Sequence, residues 1–221
     1  MNNMKNRLSR YSFLLVTLIV IALLVWVWIV YEDNIEAAQA MTRLTARVSL
    51  VIFFFVFSAS YLNRLMPSEW SVSLLKNRRG LGLLFAYSHT IHLLCIIAFL
   101  WLAHKKPSLS TIIVGGGGYL IIYAMALTSN DWSVKTIGIK YWKRLHIFGI
   151  YYLWFIFFLT YLTRLLASAG NVDAASKPGG SALEFVIGMF LVLTMIAFRV
   201  IVVFSAKRNL TPVASEGREL L

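Results

Sequence analysis

Three histidines stand inside long apolar runs of this chain: His89, His92 and His146. On a helix, the three-residue spacing of His89 and His92 sets them about 60° apart around the axis. An imidazole in hydrocarbon is costly unless paired, so a histidine placed there is a functional candidate. Neutral imidazole is also the commonest protein ligand to haem iron. The plain alternative, a hydrogen bond to a neighbouring helix, stays open for each of the three. His104, beside Lys105, reads as a solvated residue at the end of a run.

Other chemistry is poorly represented. No Ser-His-Asp order, no H-E-x-x-H and no paired carboxylates fall within the apolar runs. Asp131, Asp173 and most glutamates lie between them. Cys95 is the single cysteine, which excludes an internal disulfide, an iron–sulfur cluster held within one chain and covalent haem attachment. It reads as a small packing residue. No G-x-G-x-x-G follows a strand, so if the protein moves electrons a separate partner or a quinol must supply them.

The elements that position these histidines follow from hydropathy. Of 221 residues 59% are hydrophobic and 14% charged, whereas a soluble domain is roughly a quarter charged. Lipid is therefore the expected solvent, and a single all-α membrane domain of about six transmembrane helices the expected fold. The spans are Tyr11–Tyr31, Leu44–Leu65, Gly80–Ala103, Ser110–Thr128, Leu145–Leu166 and Leu183–Ser205, the last with Arg199 placed to snorkel. A secretory signal competes for the first run, with Ala38-Gln39-Ala40 as a cleavage-like site. The apolar core is too long for one, so a retained helix is expected. The glycine run Gly115–Gly118 permits close helix approach in the fourth span.

The net charge of +12 would suggest nucleic acid in a soluble protein. Here Lys and Arg cluster in alternate connections, so the membrane surface explains them and no nucleic-acid partner is expected. Arg64, Lys76, Arg78 and Arg79 lie between the second and third spans, and Lys135, Lys140, Lys143 and Arg144 between the fourth and fifth. Lys5, Arg7 and Arg10 precede the first span, and Lys207, Arg208 and Arg218 follow the sixth; only Lys105 and Lys106 oppose the pattern. Both termini are thus expected on the cytoplasmic side, with Ala167–Ser181 a flexible outer loop. Trp132 and Trp142 should sit among headgroups, and Asn130-Asp131 should cap a short cytoplasmic segment.

Two blocks carry a family resemblance: RRGLGLLFAYSHTIH at Arg78–His92 and LTSNDWSVKTIGIKYWKRLH at Leu127–His146. Together, in this order, they resemble the ferric reductase-like transmembrane domain family over about Arg78–Arg164. The family includes the haem-binding membrane subunit of the bacterial methionine sulfoxide reductase system. The resemblance implies a bundle in a bacterial inner membrane holding haem b between the third and fifth spans. Electrons would pass from a separate donor or quinone toward an outer acceptor. It implies His92 as first iron ligand, with His89 or His146 second, and Arg78 and Arg79 as contacts for haem propionates or lipid phosphates.

One departure stands out. Haem-binding members of the family carry a further histidine about thirteen residues beyond the one matching His146, and here that stretch is Phe158-Leu159-Thr160-Tyr161. Nor does His146 replace it easily. His92 lies thirteen residues beyond Arg79 and His146 two beyond Arg144, a depth difference of roughly 16 Å; for His89 and His146 it is roughly 12 Å. Three arrangements stay open: one haem with a single histidine ligand, a haem bridged from His89 or His92 to another residue, or a bundle that has lost its haem.

Overall fold

The computed structural model describes residues 2–170 and 181–208, with backbone alone for residues 2–10, 12, 169, 170, 207 and 208. In lipid every backbone polar group must be satisfied within its own segment, so apolar runs of this length form helices. Six helices are long and apolar enough to cross a membrane, and no strand occurs among the described residues. The protein is a multi-pass membrane protein whose solvent is the bilayer.

The elements in order are α1 (Asn2–Val30), α2 (Asn34–Leu65), α3 (Glu69–Lys76), α4 (Arg78–Leu102), α5 (Leu109–Thr111), α6 (Gly117–Leu127), α7 (Asp131–Ile137), α8 (Ile139–Gly170) and α9 (Ala182–Arg208). A π-helical stretch, Ile112–Gly116, joins α5 to α6 into the fourth span. Helices α8 and α9 extend beyond the hydropathy limits at both ends, α4 starts two residues early and ends at Leu102, and α2 starts well before Leu44. The cause is capping: Asp33 accepts from the backbone N–H of Ile35 (2.7 Å) and Glu36 (2.9 Å), so the helix begins in a polar stretch. Asn130 caps α7 as expected, accepting from the Ser133 N–H at 2.7 Å. Gly138, at φ +85°, makes the turn from α7 into α8, a backbone conformation that side-chain-bearing residues avoid. Most of the outer loop expected at Ala167–Ser181 lies outside the described residues.

The bundle is built around α2 and α4, whose facing surfaces carry small residues; Ser49 and Ser88 share a buried hydrogen bond of 2.9 Å across them. Phe53 and Phe57 of α2, Phe85 of α4, Ile122 of α6, Leu153 and Phe157 of α8, and Met189, Val192 and Met195 of α9 form one core. Helix α1 packs at the edge, through Val27 against Ala37 and Ala40 and through a Thr17–Tyr87 hydroxyl contact of 2.9 Å. The glycine run divides: Gly117 and Gly118 lie against Tyr152 and Ile156 of α8, whereas Gly115 and Gly116 face open space. Tyr152 donates to the Val114 carbonyl at 3.2 Å, filling a backbone acceptor of the π stretch.

Candidate functional site

The structure sorts the candidate histidines into two levels. His89 and His92 stand together in the upper half of α4, ring centroids 5.1 Å apart. Around His89 lie Phe85 (5.2 Å), Tyr119 (5.1 Å) and Phe157 (6.0 Å), so the imidazole is boxed by aromatic rings from α4, α6 and α8. Its Nδ1 is buried and has no hydrogen-bond partner among the described residues, as does the neighbouring Tyr119 hydroxyl. His92 is held differently: its Nδ1 lies 3.1 Å from the Thr45 hydroxyl on α2.

His146 is not brought to this pair. It opens the membrane part of α8, its Nε2 3.3 Å from the Thr128 hydroxyl, its ring stacked on Trp142 at 4.2 Å. Trp142 donates its indole N–H to the Thr128 carbonyl at 2.9 Å. Both side chains form one wall of a cavity of about 610 Å³, within the range of roughly 300–1,000 Å³ for small-molecule and cofactor sites. Its apolar surface comes from Phe53, Phe85, Ile122 and Leu153, and its cationic groups from Arg78, Arg79 and Lys143. Phe85 both lines this cavity and packs on His89, so it stands between the two levels.

The arginines are engaged with protein. Arg78 donates to the Val56 carbonyl (3.2 Å) and the Ser60 hydroxyl (3.2 Å), which anchors α4 to α2. Arg79 donates to the Ser129 carbonyl (2.6 Å) and pairs with Asp131 (2.9 Å), which ties α4 to the start of α7. His104 is exposed at the end of α4, with a left-handed backbone (φ 49°). Arg199 lies over the Tyr151 ring at 4.4 Å. One further polar contact was not expected: Arg47, near the start of the second apolar run, forms a two-pronged ion pair with Glu184 at the start of α9, Nη1 to Oε1 being 3.1 Å.

These residues fit a haem in kind. The donors are imidazoles inside an apolar bundle, one with an orphaned nitrogen, and a cavity with cationic groups lies one level below. They fit it at one level at a time. No group of three or more His, Cys, Asp or Glu gathers among the described residues. At the position of the absent family histidine the neighbouring side chains are taken by packing, Phe157 against His89 and Tyr161 against Gly188.

The chain is 31% identical, over 147 aligned residues, to the protein-methionine-sulfoxide reductase heme-binding subunit MsrQ of Azospira oryzae, with 56% of this chain and 59% of that protein covered. It is 32% identical over 83 residues to the magnetosome protein MamZ of Magnetospirillum gryphiswaldense, covering 34% of this chain and 12% of that protein. The chain thus spans about three fifths of the first relative and a small part of the second. No family profile and no solved structure matches it. What the sequence resembles is a protein named for binding haem in a membrane.

Proposed function

We propose that the chain is a membrane-embedded haem b protein of the ferric reductase-like class, passing electrons from a separate donor or quinol toward the opposite face. The observation that carries this reading is the His89–His92 pair, enclosed in an apolar bundle with a His89 nitrogen left unpaired. An unpaired polar atom in oil costs on the order of 1–3 kcal/mol, a cost that a bond from that His89 nitrogen to a metal or a ligand would offset. The likeness to a protein named as heme-binding adds support.

His92 is the first ligand in this reading, with its neighbour His89 the candidate for a second; His146 stands at the other level, with Thr128 and Trp142. When bound, haem supplies a one-electron carrier. The protein's own residues do the rest. Phe85, Phe157 and Tyr119 keep water from the upper imidazoles. Arg78, Arg79 and Lys143 give the cavity a cationic mouth suited to a hydrogen-bond-accepting or anionic head of a donor, and His146 offers a proton acceptor there. In this reading that mouth and both termini face the cytoplasm of a bacterial inner membrane, which the excess of Lys and Arg in alternate connections supports.

A haem-free scaffold is the second reading, favoured by Phe157 and Tyr161 packing where the family carries its further ligand. The two part on one assay. Protein expressed with supplemental haem and purified in detergent should carry stoichiometric haem by the pyridine haemochrome method. A colourless preparation would remove the redox reading and leave the scaffold.

A further inference from the structure

Two threonines face two of the histidines, and hydrogen-bond bookkeeping at each decides which ring nitrogen is free. A threonine hydroxyl has one proton to donate and can accept as well. Thr45 Oγ1 lies 2.8 Å from the Met41 carbonyl and 3.2 Å from the Thr42 carbonyl, both acceptors only. Its proton is therefore committed to its own helix. The contact with His92 Nδ1 at 3.1 Å must then be made with an N–H on the histidine. A neutral imidazole carries a single N–H, so the proton sits on Nδ1 and the lone pair on Nε2.

The reverse holds at His146. Thr128 Oγ1 donates to the Ala124 carbonyl at 2.7 Å and lies 3.3 Å from the Met125 carbonyl, so its contact with His146 Nε2 at 3.3 Å needs an N–H on that nitrogen. His146 is left with its lone pair on Nδ1, beside its own Cβ and helix backbone. Nε2 is the ring atom farthest from the backbone, and it alone reaches a broad planar group without crowding the helix. A ligating histidine commonly has its other N–H fixed by a neighbour, which sets tautomer and orientation together.

We infer that Thr45 is a positioning residue that presents the His92 Nε2 lone pair for iron, and that Thr128 holds His146 in the opposite tautomer and so keeps its Nε2 from ligating. This rests on the haem-binding reading, but the tautomers themselves can be read without haem. Full-length protein labelled with ¹⁵N-histidine, in detergent and without added haem, would be examined by two-bond ¹H–¹⁵N correlation. Only four histidines contribute, and single replacements assign them. The expected spectrum shows His92 protonated on Nδ1 and His146 on Nε2. Thr45→Val should move His92 to the Nε2–H form or to a mixture, and Thr45→Ser should restore the original pattern. Wild-type His92 protonated on Nε2, or a Thr45→Val spectrum unchanged at His92, overturns the assignment. In haem titrations Thr45→Val should weaken binding about tenfold or more, and Thr45→Ser should recover it. Expected tautomers in a protein that takes up no haem would overturn the functional reading alone; the opposite tautomer in a haem-loaded protein would overturn the role of Thr45 alone.

Discussion

At the scale of single residues, the bundle tolerates polar groups where each has a defined partner. Arg78 spans from α4 to the Val56 carbonyl and the Ser60 hydroxyl, so Arg78→Ala strands acceptors at the cavity wall. Thermal unfolding in detergent should show a loss of about 1–3 kcal/mol, the usual effect of deleting a hydrogen-bonded charge. Arg79→Ala should cost less than about 1 kcal/mol, because its partner Asp131 is exposed and the pair is screened. Equal losses for the two would show that the Arg78 contacts contribute little. That His89, His92 and His146 lie in apolar runs was legible, because hydropathy and residue type suffice for it. Which neighbour each ring meets was not. The Thr45–His92 and Thr128–His146 contacts depend on how α2, α4, α6 and α8 rotate against one another, and no local pattern encodes that. Trp142 shows the same limit: only the fold reveals that its ring lies on His146.

At the scale of elements, close approach of α8 and α9 depends on Gly188, where a Cβ would collide with the Tyr161 ring. Gly188→Val should separate these helices and cost about 1–3 kcal/mol by the same unfolding measurement, as overpacking does elsewhere. Gly80 has open space around it, so Gly80→Ala should be neutral or stabilise by up to about 1 kcal/mol. A neutral Gly188→Val would mean that α8 and α9 adjust freely. One turn away, the Arg47–Glu184 pair fastens the same end of α9 to α2, linking residues 137 apart in sequence. The arginine inside an apolar run was a visible signal for such a partner, but its identity was not, since Glu184 reads as an ordinary residue at a helix start. Helix starts were the least legible feature. A hydropathy window registers apolar content, whereas Asp33 and Asn130 begin helices through side-chain caps in polar sequence.

At the scale of the whole molecule, the six-span architecture was readable because the bilayer sets both length and composition of each span. The orientation proposed from the basic connections is directly testable. In a Cys95→Ser background, Lys106→Cys should react with a membrane-impermeant maleimide on intact spheroplasts. Lys135→Cys should react only after permeabilisation; the reverse pattern would invert the molecule and place the cavity on the outer side. The central claim is that the upper imidazoles of α4, and not the one beside the cavity, grip the iron. The most direct measurement is the reduced-minus-oxidised absorbance spectrum of the wild-type protein beside His92→Ala and His146→Ala, purified alike. Loss of the haem bands in His92→Ala with their retention in His146→Ala is the predicted result. Bands that survive in His92→Ala and vanish in His146→Ala would contradict it.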